Sequence, residues 1–144
     1  MQLLIAGPMV GITIIMHLAG LAFLVGMIRR HTLDGDKRRA RMRQFVTILG
    51  AAFGLFALHT VEIWLYAALY VVVHALHNFD DSLYFSTTTY TTLGYGDVIL
   101  TKKWRLVGAI ESANGIILLG WSTAFFVSVI NRIRLFEHEL APDD

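Results

Sequence analysis

Residues 82–99 read S-L-Y-F-S-T-T-T-Y-T-T-L-G-Y-G-D-V-I, and the reading of this stretch decides the fold. Glycines at 94 and 96 alternate with Leu93 and Tyr95. In an extended strand successive carbonyls point to opposite sides. Left-handed dihedrals, which glycine adopts freely, turn alternate carbonyls back, so that those of Thr92, Leu93, Gly94 and Tyr95 face one line. Glycine also lets neighbouring backbones approach closely, and the Thr92 hydroxyl adds an oxygen at the inner end of that line. A bare Gly-Tyr-Gly is equally a surface turn. The surroundings favour the first reading: an apolar segment lies on each side, and a Ser/Thr/aromatic run able to form a short helix precedes the loop.

Of 144 residues, 56% are hydrophobic and 16% charged, which fits one small integral membrane domain better than a soluble core. Cysteine is absent, which excludes a disulfide scaffold and a thiolate metal site. In chain order, Leu3 to Ile28 is an apolar run of about the 20 residues that cross a bilayer. It is too long for a signal-peptide core and is followed by basic residues, so residues 1–28 are read as a retained first spanning helix with its N-terminus outside. Seven of the twelve Lys/Arg fall between Arg29 and Arg43, marking residues 29–44 as a basic cytoplasmic loop. Lying between two membrane segments, this loop suits anionic lipid head groups rather than nucleic acid. Asp34-Gly35-Asp36 within it reads as a turn, since the other ligand positions of a calcium loop are missing.

Residues 45–73 form the second spanning segment, with Trp64, Tyr66 and Tyr70 toward its outer half. After a short outer turret, Asp80, Asp81 or Ser82 is expected to cap a helix over 82–91. The C-terminal dipole of that helix points at the middle of the membrane, where partial negative charge favours a cation. The loop 92–97 follows, then a third spanning helix over 106–130 and a short cytoplasmic tail over 132–144. Lys102, Lys103 and Arg105 sit outside in this topology, against nine basic residues inside.

Thr91-Thr92-Leu93-Gly94-Tyr95-Gly96-Asp97 closely resembles the selectivity-filter signature of potassium channels. Residues 45–131 as a whole resemble the outer helix, pore helix with filter and inner helix of simple bacterial two-helix potassium channels. The resemblance implies an all-α membrane protein with three spanning helices per chain, a re-entrant pore helix and filter loop, and a homotetramer in the inner membrane of a prokaryote. It implies potassium bound at Thr92, Leu93, Gly94 and Tyr95, with Gly96 completing the filter, and no cofactor beyond the permeant ion. The first helix is an addition to that plan, and with no basic residue before Arg29 it does not resemble a voltage sensor. The chain departs from the family pattern at Leu93, where valine is usual and β-branching stiffens the backbone. It also has Thr88 where some members place a glutamate that pairs with the equivalent of Asp97. Tyr84, standing where the family has tryptophan, is therefore expected to donate its hydroxyl to Asp97. Tyr95 is expected to pack on Tyr84 and Phe85 of its own or a neighbouring chain.

Ionisable side chains within apolar segments must face protein or water and find partners. His17 lies at a depth compatible with His59 and Glu62, so a His17–Glu62 contact is expected to attach the first helix. Glu111 is expected to brace the pore helix through Thr87 or Thr88. Gly115 and Gly120 lie where family members hinge, although small residues equally serve close helix packing. Asn114 and Ser122 face either a water-filled cavity or another helix. His74 and His77, beside Asp80 and Asp81, have spacing compatible with an external metal. The rival readings are a weakly selective cation channel, a potassium transporter subunit, and a haem protein using His17 and His59 as axial ligands. No nucleophile–base pair or phosphate-binding loop supports an enzyme.

Overall fold

The computed structural model describes residues 1–30 and 37–139, with side chains described for 1–29 and 42–132. Four helices follow in order: α1 (Gln2–Arg30), α2 (Lys37–Val72), α3 (Phe79–Tyr90) and α4 (Arg105–Glu139). Among the described residues every regular element is helical. Gln2–Arg29, Met42–Val72 and Arg105–Arg132 are long and apolar enough to cross a membrane. The 12 residues of α3 are too few to span.

Three helices extend beyond the ranges expected from hydropathy. The basic residues from Lys37 to Arg43 continue α2 instead of forming a loop, because Lys, Arg, Ala and Met are strong helix formers whether or not lipid surrounds them. For the same reason α4 runs past Ile130 to Glu139. The expected Asp34-Gly35-Asp36 turn lies outside the described residues. α3 begins at Phe79, not at Ser82, and its cap is Asn78, not an aspartate or Ser82. The Asn78 side chain accepts the Asp81 N–H at 2.7 Å, and Asp80 and Asp81 fall in the first turn, where they complement the helix dipole.

α2 ends in a left-handed C-cap. His74 has φ 56°, its N–H bonds to the Val71 carbonyl at 3.0 Å, and the Ala75 N–H reaches back to Tyr70 at 2.8 Å. The His74 ring also lies on the Val71 carbonyl, Nδ1 to O 2.9 Å. Among the described residues, His74, His77, Asp80 and Asp81 do not assemble a three-ligand cluster.

α3 wedges between α2 and α4, and α1 packs on α2 and α4 of its own chain. Small residues allow these approaches. Gly20 faces the Leu58 side chain and Gly54 faces Leu24, so α1 and α2 interlock reciprocally. The Gln2 side chain accepts the Leu106 N–H at 3.0 Å, satisfying one free donor at the start of α4. The core between the helices is formed by Tyr66, Tyr70, Tyr90, Trp104, Val107 and Leu118, whereas Phe53, Phe56 and Ile116 face outward, as lipid contact requires.

α4 is helical through both Gly115 and Gly120, and the two glycines differ in surroundings. A Cβ on Gly115 would run into the Tyr90 carbonyl oxygen, whereas one on Gly120 would meet nothing within 4 Å. Gly115 therefore seats the end of α3 against α4. Gly115→Ala is expected to destabilise the detergent-solubilised protein by about 1–3 kcal/mol through overpacking. Gly120→Ala should stay within about 0.5 kcal/mol of wild type in the same denaturation series. Equal effects at both positions would contradict a packing role specific to Gly115.

Candidate functional site

The loop that follows α3 alternates in backbone handedness. Thr92, Gly94 and Gly96 have φ of 62°, 54° and 79°, while Leu93 and Tyr95 between them are not in the positive region. Left-handed backbone is ordinary for glycine but strained for a β-branched residue, at a cost of order 1–3 kcal/mol. Two hydrogen bonds hold the strained turn. The Thr92 N–H bonds to the Thr89 carbonyl and the Gly94 N–H to the Thr88 carbonyl, both at 3.0 Å. Donors are thus folded back onto α3, while among the described residues no hydrogen bond ends on the carbonyls of Thr92, Leu93, Gly94 or Tyr95. The glycine pattern points to positions 94 and 96; Thr92, the third left-handed residue, carries no such signal.

Asp97 closes the outer end of the loop. Its Oδ2 accepts the Tyr84 hydroxyl at 2.8 Å and its Oδ1 accepts the Val98 N–H at 3.0 Å. The tyrosine bond holds the Asp97 carboxyl below the ordinary aspartate range and pushes the Tyr84 phenol up. Thr88 supports the loop through its carbonyl, since its hydroxyl is turned to the Phe85 carbonyl at 3.0 Å. Phe85 packs edge-on against Tyr70, with ring centroids 5.3 Å apart, and touches Gly108. The expected packing of Tyr95 on Tyr84 and Phe85 is not made within one chain, where Tyr95 is 68% exposed. The Phe85 ring is instead turned to Tyr70 of its own chain.

Two fully buried glutamates secure α3. Glu111 accepts the Tyr70 hydroxyl at 2.5 Å and lies 2.5 Å from the Ser86 hydroxyl, which also touches the Ile63 carbonyl at 2.9 Å. The brace is Ser86, not Thr87 or Thr88, because those threonines return their hydroxyls to carbonyls of their own helix. Glu62 lies at the other end of α3. His17 Nδ1 is 2.8 Å from its Oε1, while His59 Nδ1, at 2.9 Å, and the Tyr90 hydroxyl, at 2.5 Å, meet its Oε2. Behind the imidazoles, Ser122 Oγ lies 2.8 Å from His59 Nε2 and 3.4 Å from His17 Nε2.

All four elements therefore meet around Glu62. The two imidazole centroids are 5.3 Å apart with the carboxylate on one side and Ser122 on the other, which leaves no slot for a porphyrin between them. Asn114 likewise joins helices, donating to Thr13 at 2.8 Å and Tyr66 at 3.3 Å. Tyr90, Tyr70 and Ser86 escape sequence reasoning. The available signal is that a carboxylate in an apolar helix needs donors at its own depth, and the hydroxyl-rich α3 is the nearest source.

The long helices, the short helix between the second and third of them, and the loop with free carbonyls agree with the comparison to known families. Residues 44–132 match the model of the ion channel family, so the match takes in α3, the loop and nearly all of the second and third spans. No curated protein and no solved structure matches the chain. With more than half of its length inside that match, this three-span membrane protein belongs to the ion channel family.

Proposed function

We propose that four copies of the chain meet around one axis and conduct potassium passively, with the carbonyls of Thr92, Leu93, Gly94 and Tyr95 as the selectivity filter. The observation that carries this reading is the alternating handedness at Thr92, Gly94 and Gly96 together with carbonyls left without donors. A dehydrating cation needs rings of oxygens in place of its water, and one chain supplies only a fraction of each ring. Tetramerisation is supported by the exposure of Leu93 and Tyr95, at 59% and 68%, on a chain whose other aromatic side chains near the loop are packed or bonded. The C-terminal end of α3 directs its partial negative charge toward the inner mouth of the filter. The basic stretch Arg29–Arg43 would face the cytoplasm and its anionic lipids, with the N-terminus outside, in the inner membrane of a prokaryote.

Liposomes holding the purified protein should pass potassium much faster than sodium, and barium, a divalent ion of potassium's size, should block the flux. Equal potassium and sodium fluxes would favour a weakly selective cation pore instead. The Tyr84–Asp97 bond should matter to the conducting filter without being needed for the fold, because both side chains are exposed at the loop's rim. Tyr84→Phe is expected to assemble normally but to lose potassium flux by an order of magnitude or more over time as the outer loop relaxes. Asp97 is depressed in the folded protein, so its bond contributes above the ordinary aspartate pKa and is lost as pH falls through the lowered value. Wild-type flux should accordingly be insensitive to this contact near neutral pH and decline only in strong acid.

A further inference from the structure

We infer that His17, His59, Glu62 and Tyr90 form a binding site for one divalent d-block ion of the zinc class, which pins α1 to the inner end of the pore helix. The donors come from three helices, and the ligand atoms of His17, His59 and Glu62 all lie within 4.8 Å of one another. Tyr90 supplies the fourth corner, its oxygen 2.5 Å from Glu62 Oε2 and 3.0 Å from His59 Nδ1. Zinc–ligand bonds of about 2.0–2.1 Å set tetrahedral ligand atoms about 3.3 Å apart. The pairs now at 2.5–3.0 Å would move apart toward that spacing to admit the ion.

The second observation lies behind the imidazoles. Metal-binding histidines present one ring nitrogen to the ion and donate the other ring N–H to a fixed acceptor. Here both far nitrogens face the same atom, Ser122 Oγ, at 2.8 Å and 3.4 Å. With the two Nδ1 lone pairs on an ion, both Nε2–H groups donate to that oxygen, which has two lone pairs to receive them. Without an ion and with neutral rings, each Nδ1 carries the proton given to Glu62, and the single Ser122 proton serves only one of two bare Nε2 atoms. The ion-bound arrangement gives both Nε2–H groups an acceptor in Ser122 Oγ.

Charge and softness select the occupant. Imidazole nitrogens favour zinc-class ions over magnesium or calcium. A divalent ion with the Glu62 carboxylate and the Tyr90 phenolate is neutral, as a site among spanning helices requires. Binding then exchanges the ion for the Tyr90 phenol proton, which passes to solvent. The His59 side chain, 12% exposed while His17 and Glu62 are fully buried, marks the way in. This site is separate from the filter carbonyls, so its failure would leave the pore reading untouched.

The test is optical titration of chelator-stripped, untagged full-length protein with cobalt(II), followed by zinc. The expected result is one cobalt per chain with the intense visible bands of tetrahedral coordination, bleached by zinc. His17→Ala and His59→Gln should abolish those bands. Ser122→Ala should keep them with affinity lowered about 10- to 100-fold, and His74→Ala should change nothing. Absence of stoichiometric tetrahedral cobalt in the wild-type protein would overturn the site, whatever the variants do. So would bands that survive in a folded His59→Gln protein.

Discussion

Irregular backbone at membrane depth must have its polar groups satisfied, because lipid offers no hydrogen bonds. Residues 92–96 meet this constraint asymmetrically: two N–H groups return to α3, and the carbonyls of Thr92 to Tyr95 are left for something outside the chain. The backbone there alternates in handedness, with Thr92, Gly94 and Gly96 left-handed. What remains is a ladder of acceptors that water or a bare cation can satisfy. The rest of the molecule serves to hold that ladder, since a left-handed threonine will relax unless its surroundings forbid it.

The restraint acts through α3, which buried glutamates fix at two levels. Glu111 engages Ser86 near the middle of the helix and Glu62 engages Tyr90 at its last residue. Each such buried hydrogen bond contributes about 0.5–1.5 kcal/mol net, and removing one partner leaves the other buried and unsatisfied at greater cost. Sliding or rotating α3 would break both sets together, while Gly115 blocks the remaining freedom by seating the Tyr90 carbonyl. The first helix α1 enters this arrangement through His17, so it buttresses α3 by way of Glu62. Sequence, packing and site thus share one chain of contacts: His17 to Glu62, Glu62 to Tyr90, Tyr90 into the loop.

Much of this is legible in the sequence because hydrocarbon makes polar residues conspicuous. Three apolar runs give the spans, and glycines at alternate positions give the loop. His17 and Glu62 pair because two costly side chains at matching depth have few alternatives. The Tyr84–Asp97 bond is legible for a different reason: with threonine at 88, the aspartate needs another donor nearby. The rest depends on rotations that hydropathy does not encode. Ser86, Thr87 and Thr88 are adjacent hydroxyls pointing in different directions around α3, and only Ser86 meets Glu111 while the two threonines turn back to their own helix. Helix ends are hidden for a similar reason, as the apolar run stops at the lipid boundary while helix propensity continues into Lys37–Arg43 and beyond Ile130. Thr92 hides its left-handed backbone because nothing in a threonine announces it.

Whether cations occupy the ladder can be seen directly by anomalous scattering from crystals of the protein grown in rubidium. Peaks strung along a fourfold axis, each between successive carbonyls from Thr92 to Tyr95, are the expected result. An axis without such peaks, or carbonyls from 92 to 95 turned away from it, would contradict the pore described above.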